Sequence, residues 1–128
     1  YCTSSANSTG APAVIYQVGS LTVSANDLSL YAMPIPASQP GIFFYGQNQT
    51  QVSFGNGTRC VGGPITRFPV RFANFFGELE YDIDNQAAPV SGAFMPGSVW
   101  NFQAWFRDPS AGGSNFDLSD GLQVTFAP

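Results

Sequence analysis

Apolar and polar residues alternate with a period of two along much of this chain, which is typical of half-buried β-strands. The segment Glu78–Asp84 alternates most strictly, because its even-numbered residues are acidic and its odd-numbered residues are apolar. Ser98–Arg107 is the longest candidate strand, and Leu122–Phe126 repeats the pattern near the end of the chain. We therefore predict that each of these segments buries one face.

The clearest signal for a β-hairpin lies near residue 26. Leu21–Ala25 and Leu28–Met33 both alternate, and the dipeptide Asn26-Asp27 between them is typical of a tight turn. We therefore predict a hairpin or a strand bend at this turn. Three shorter strands are predicted at Ala13–Val18, Ile42–Gly46 and Val52–Phe54.

Thr66–Phe72 predicts a further strand with Phe68, Val70 and Phe72 on one face. Pro69 places it at the edge of a sheet or breaks it, because proline has no N–H to donate. About eight short strands and no helical period indicate an all-β fold, an antiparallel β-sandwich of jelly-roll-like form. With no linker and no repeat, we predict a single domain over residues 1–128.

The composition argues against most catalytic mechanisms. The chain has no histidine, its four basic residues are all arginines, and only 9% of its residues are charged while 15% are aromatic. Histidine and lysine are the usual acids, bases, nucleophiles and phosphate ligands of enzymes, so we predict no enzyme and no cofactor. A net charge of −4 argues against nucleic acid, and the absence of a long apolar run argues against membrane insertion.

Two cysteines, Cys2 and Cys60, form one pair. In a lysine-free chain rich in Thr, Ser, Asn and Gly, such a pair favours a disulfide in an oxidising, extracellular compartment over two free thiols. Three Asn-x-Ser/Thr triplets, at Asn7, Asn48 and Asn56, are candidate glycosylation sites.

Trp105 is the most informative residue of the longest strand. Strand alternation places it opposite the apolar face, beside Asn101, Gln103 and Arg107. This arrangement has three interpretations: a loop or second layer covers Trp105, it anchors a protein interface, or it is a sugar-stacking platform. Further candidate stacking residues are Tyr31 and Tyr45.

Two groups of carboxylates are candidates for a chemical role. Asp108, Asp117 and Asp120 are candidate calcium ligands, although the same residue types commonly build turns and the spacing matches no EF-hand loop. We therefore predict no metal.

The second group is the row of Glu80, Asp82 and Asp84, which could supply a hydrolase pair. A solvated strand face, or cross-strand pairing with Arg67 and Arg71, explains the same row without catalysis.

Five stretches together resemble a secreted β-rich domain found at the ends of large surface proteins of planctomycetes and related aquatic bacteria. They are CTSSANSTG at Cys2–Gly10, SANDLSL at Ser24–Leu30, FGNGTRCVGG at Phe54–Gly63, WNFQAWFRDP at Trp100–Pro109 and SDGLQVTF at Ser119–Phe126. The resemblance spans essentially the whole chain. It implies an extracellular, disulfide-linked β-domain and supplies no catalytic residues.

These observations favour an extracellular structural or adhesive subunit that self-assembles or docks to a surface. Strand exchange through Ala11–Val18 or Leu122–Phe126 would join copies into a filament. The alternative is a carbohydrate-binding module that uses exposed aromatic residues. The expected partners are therefore a second copy of the chain, or an extracellular polysaccharide or surface.

Overall fold

Eleven strands form two antiparallel sheets and one separate hairpin in the computed structural model, which describes residues 1–128. In chain order they are β1 (Val14–Val18), β2 (Ser29–Met33), β3 (Pro40–Gly46), β4 (Asn48–Phe54), β5 (Gly57–Gly62), β6 (Thr66–Arg67), β7 (Arg71–Phe72), β8 (Leu79–Asp82), β9 (Val99–Arg107), β10 (Phe116–Leu118) and β11 (Leu122–Thr125). The small sheet has the order β1-β2-β8. The large sheet is built on β3 and β9, with β10 and β11 along β9 and with β6 and β7 along β3.

The main core lies between the two sheets. The small sheet contributes Leu30 and Leu79, and the large sheet contributes Phe43, Phe102 and Phe106, each at most 1% exposed. Because strand side chains alternate, the neighbours of these residues point to the outer face of each sheet. This arrangement confirms the all-β antiparallel sandwich, with more and shorter strands than the eight expected.

A third layer covers part of the outer face of the large sheet. The hairpin formed by β4 and β5 packs there around a second core of Phe44, Val61 and Leu118. Gln103 fixes the hairpin in place, since its side-chain amide bonds to the backbone of residues 58 and 60 on β5. The middle of the large sheet is therefore buried on both faces.

The longest alternating segments were correctly predicted to be strands, although the middle of Ser98–Arg107 buries both faces and not one. Glu78–Asp84 contains β8, whose burial alternates as expected, and Ser98–Arg107 contains β9. Leu122–Phe126 contains β11, with Val124 and Phe126 buried and Gln123 exposed.

The hairpin predicted at Asn26-Asp27 was wrong. Val23–Ala25 forms a short 3₁₀ helix that ends at Asn26 in the left-handed region (φ 49°), and β2 pairs instead with β1. The Val23 N–H donates to the carbonyl of Ala127 at 2.9 Å, so this segment is tied to the chain end instead of continuing a sheet.

The strand predicted over Thr66–Phe72 is broken at Pro69, which was one of the two predicted outcomes, but the common face predicted for Phe68, Val70 and Phe72 was wrong. It is split into β6 and β7 around Pro69, and its side chains do not share a face. Phe68 is 3% exposed in the main core, whereas Val70 and Phe72 are 56% and 68% exposed. Pro69 interrupts the ladder, because it has no N–H with which to continue it.

The row of Glu80 and Asp82 does not pair with Arg67 and Arg71. The strand β8 pairs with β2, which places Glu80 opposite Tyr31 and Asp82 opposite Ser29. No helix of the chain is long and apolar enough to span a membrane.

Candidate functional site

The N-terminal segment is fastened to the body of the domain by a disulfide and by Tyr1. Cys2 and Cys60 are bonded, with their Cα atoms 6.0 Å apart, as the sequence predicted. The Tyr1 hydroxyl donates to the carbonyl of Cys60 at 2.9 Å, and the terminal ammonium donates to the carbonyl of Gly121 at 2.8 Å. Burial raises the pKa of Tyr1 to about 12.

The three calcium candidates also hold this N-terminal segment. Asp108, Asp117 and Asp120 each accept a hydrogen bond from it. Their donors, in the same order, are the Ser8 N–H at 2.8 Å, the Ser5 hydroxyl at 3.2 Å and the Ile15 N–H at 2.9 Å. No three acidic or sulfur side chains come together as metal ligands. The carboxylates therefore act as anchors of the chain.

Burial of the Asp117 anchor disfavours its charged form. Burial raises its pKa and the charge of Asp108 raises it further, while hydrogen bonds from Leu118 and Ser5 oppose the shift. Asp108 is also fully buried, and its Oδ1 has no hydrogen-bond partner in the protein.

The three candidate glycosylation sites differ in exposure. Asn7 is 6% exposed and its amide donates to the carbonyl of Pro34 at 2.8 Å, so the folded chain has no room for a glycan there. Asn56 is half-buried and its amide donates to the carbonyl of Gly112 at 2.9 Å. Asn48 alone of the three is exposed.

Asn101 and Gln103 are not surface residues. They are 1% and 0% exposed, because the hairpin of β4 and β5 covers them. Asn101 accepts a hydrogen bond from Gln49 at 3.0 Å. Gln103 accepts from the Cys60 N–H at 2.8 Å and donates to two carbonyl oxygens. The sugar-stacking interpretation of Trp105 therefore loses Asn101 and Gln103 as surface amides, and burial of this face supports the interpretation in which a second layer covers it.

Trp105 is half-buried at the edge of the hairpin. Phe54 contacts its ring at a centroid distance of 5.2 Å, and Phe116 at 5.6 Å. The guanidinium of Arg67 lies over the ring, 5.0 Å from its centre. These side chains thus cover the Trp105 ring only in part, and its exposed part borders a groove.

An open groove of about 300 Å³ lies on the outer face of the large sheet, beside the hairpin. Its wall is mostly apolar, and two arginine side chains lie along it. We call it the arginine groove, and its principal residues are Ile42, Arg67, Val70, Trp105, Arg107 and Phe116. The pairings Ile42 with Trp105 and Phe116 with Arg107 bring these residues together from three strands.

The outer face of the small sheet carries a pair of stacked tyrosines. Tyr16 and Tyr31 are directly opposite across β1 and β2, with ring centres 5.3 Å apart and planes 11° from parallel. The Tyr16 hydroxyl donates to Glu78 at 3.0 Å. Burial and the hydrogen bond to Glu78 raise the pKa of Tyr16, while burial and Glu80 raise that of Tyr31.

Exposed apolar residues of β1 and β2 lie at both ends of the tyrosine pair, and carboxylates of β8 lie beside it. Val14, Val18 and Met33 are 47%, 52% and 38% exposed. We call the whole surface the tyrosine face. Its residues are Val14, Tyr16, Val18, Tyr31 and Met33, with Glu78, Glu80 and Asp82 along β8.

The two surfaces bear opposite charge that the chain does not neutralise internally. None of the side-chain hydrogen bonds joins an arginine to a carboxylate, and the single one that an arginine donates runs from Arg71 to the carbonyl of Val70. Arg67 and Arg107 on the groove, and Glu80 and Asp82 on the tyrosine face, are all exposed. Because the two sheets pack by their inner faces, the arginines and the carboxylates lie on opposite outer faces of the sandwich.

Of the two further stacking candidates, only Tyr31 is at the surface. Tyr45 is 4% exposed and packs in the main core against Phe68 and Phe94. Sequence reasoning missed Tyr16 and Ile42, although their strand positions place them on the outer faces. The missing information was which strands are neighbours, since β3 pairs with β9 across more than fifty residues of chain.

Two phenylalanines at the β7–β8 turn are the most exposed aromatic residues. Phe75 and Phe76 are 86% and 83% exposed. The Asn74 side chain fixes this turn, because its Oδ1 accepts from the N–H groups of Phe76 and Glu78 at 3.0 Å each. The turn is therefore ordered while its two rings stay in solvent.

No protein-family model, curated protein or solved structure matches this chain. The resemblance to the planctomycete surface domain therefore stays a prediction.

Proposed function

We propose that this chain is a structural subunit of an extracellular assembly, which self-associates through the outer faces of its sandwich. The observation that carries the proposal is the pair of unneutralised surfaces of opposite charge, each with an apolar centre. Interface cores combine aromatic and aliphatic residues with charges at the rim, and both surfaces have this composition. The disulfide fits an oxidising compartment outside the cytoplasm.

Docking between faces is better supported than strand exchange. Both segments named for exchange are paired within their own chain, β1 with β2 and β11 with β9. The Asp120 side chain also occupies the outer edge of β1, where it accepts from the Ile15 N–H. A donated strand would have to displace these bonds, whereas docking leaves the fold intact.

Sedimentation velocity of the purified chain at increasing concentration tests the proposal. We expect the mean sedimentation coefficient to rise steadily from about 10 μM to 1 mM, since weak interfaces have dissociation constants in this range. A single monomeric boundary at the highest concentration would contradict the structural role.

A second candidate is the binding of an acidic polysaccharide in the arginine groove. The observation that favours it is Trp105 bordered by Arg67 and Arg107, because guanidinium groups bind carboxylates and an indole packs against sugar rings. The position of Arg67 weighs against it, since this side chain already occupies one face of the indole.

Isothermal titration calorimetry with polygalacturonate and with neutral dextran separates the two functions. Binding of the acidic polymer alone, lost in Trp105→Ala that thermal melting shows to be folded and retained in the exposed-site control Gln123→Ala, would establish the polysaccharide function. We expect no saturable heat with either polymer.

A further inference from the structure

We propose that the tyrosine face of one copy docks into the arginine groove of the next. This inference rests on the proposed structural function and identifies the interface. The occupant of the groove is a second copy of the same chain, because the only large surface of this chain that combines exposed apolar residues with a row of carboxylates is its own tyrosine face.

The charges of the arginine groove and the tyrosine face are complementary. The groove presents Arg67 and Arg107, and the tyrosine face presents Glu80 and Asp82 on one edge with the carboxylate of Glu78 beside Tyr16. A positive patch that meets a negative one both attracts and orients its partner. Neither patch loses an internal ion pair on docking, since the arginines make none.

The shapes of the arginine groove and the tyrosine face also fit each other. The groove is concave and lined by Ile42, Val70 and Trp105, whereas the stacked rings of Tyr16 and Tyr31 form a ridge across the small sheet. Aromatic ridges seated in apolar grooves are the usual centres of protein interfaces. Docking would cover Val14, Val18 and Met33, which are the exposed apolar residues beside the ridge.

The placement of the two surfaces determines how copies would assemble. The two surfaces lie on opposite outer faces of the sandwich, so a copy that uses one of them leaves the other free. A contact between two different patches is heterologous, and such contacts build rings or open filaments instead of closed dimers. The expected product is a stack of sandwiches joined face to face.

The contact is small. Strands of five, five and four residues cover at most about 14 by 17 Å, at roughly 4.8 Å between strands and 3.3 Å per residue. This is well below the roughly 800 Å² per partner of a stable interface, so each contact is weak and assembly requires a high local concentration.

Charge reversal tests the docking. In Arg67→Glu/Arg107→Glu the groove becomes acidic, and in Glu80→Arg/Asp82→Arg the tyrosine face becomes basic. We expect each variant alone to associate about tenfold or more weakly than the original chain, because like charges then meet across the contact. An equimolar mixture should regain association, since the acidic groove of the first variant matches the basic tyrosine face of the second, and the unaltered groove of the second matches the unaltered tyrosine face of the first.

A pair of variants with equal net charge controls for non-specific repulsion. Arg67→Gln/Arg107→Gln and Gln86→Glu/Ala87→Glu each make the chain more negative by two, but only the first alters the groove. Thermal melting first establishes that every variant folds. We expect the Gln86/Ala87 control to associate like the original chain and the groove variant to associate less.

Sedimentation equilibrium and negative-stain microscopy of the mixture decide the outcome. Recovery in the mixture supports the docking. If the original chain assembles but the reversed variants assemble equally well, or do not recover when mixed, the interface is wrong while the structural function stands. If the original chain stays monomeric at 1 mM, the proposed function itself fails.

Discussion

The guanidinium of Arg67 lies over the indole of Trp105, with its carbon 5.0 Å from the ring centre. This contact closes one face of the single half-exposed tryptophan on the outer side of β9. It also holds a positive charge at the rim of an apolar groove without a carboxylate to neutralise it. The residue pair therefore favours an anionic protein partner over a stacked neutral sugar.

Arg67→Ala should change stability much less than Trp105→Ala. The cation–π contact at an exposed site contributes about 0.5–1 kcal/mol, whereas truncation of a tryptophan packed on Phe54 and Phe116 costs about 3 kcal/mol or more. Urea unfolding of both variants measures the difference. Equal losses would show that Arg67 is a structural part of the fold.

Gln103 should be the most costly polar side chain to remove from β9. Gln103→Leu leaves the buried Cys60 N–H and two carbonyl oxygens without their partner, which predicts a loss of about 3 kcal/mol in the free energy of unfolding. Gln123→Leu is the matched control, because Gln123 is exposed on β11. Urea unfolding that gave similar values for the two variants would refute the role of Gln103 in fixing the hairpin.

The domain should lose stability in alkali through Tyr1. Its pKa rises from 10.0 in the unfolded chain to about 12 in the folded one, so the folded state holds this proton more tightly. The stabilisation is complete below pH 10 and is lost as the pH rises toward 12. The difference in unfolding free energy between the original chain and Tyr1→Phe should therefore shrink over this interval, which tyrosinate absorbance and denaturant titration together measure. A constant difference would mean that Tyr1 titrates normally.

Phe75 and Phe76 should be dispensable for folding. Phe75→Ser/Phe76→Ser should alter the free energy of unfolding by less than about 0.5 kcal/mol, since both rings are in solvent. Phe94→Ala is the contrasting variant, and it should cost about 3–5 kcal/mol because Phe94 is 1% exposed. The docking described above also predicts that the double serine variant still associates, and loss of association in sedimentation velocity would place the interface at the β7–β8 turn.

Period-two patterning was sufficient to predict the strands whose two faces meet different surroundings. Glu78–Asp84 was predicted down to its alternation, because one side faces the core and the other faces water. Patterning failed for Asn101 and Gln103, since a polar residue on an alternating strand indicates solvent unless another layer covers it. That layer is the hairpin of β4 and β5, which has no regular alternation of its own.

The candidate site was predicted only in part for the same reason. Trp105 and Arg107 were identified from β9 alone, but the groove also needs Ile42 on β3, which pairs with β9, and Arg67 on β6, which pairs with β3. Local pattern shows which way a side chain points within its own strand. It does not show which strand lies beside it, because that choice depends on contacts far apart in the chain.

Negative-stain electron microscopy of the purified native material at low ionic strength shows whether the domains stack face to face. We expect regular filaments, which shorten or disappear at high salt as charge attraction between the faces is screened. Dispersed single particles at high protein concentration in low salt would contradict this stacking.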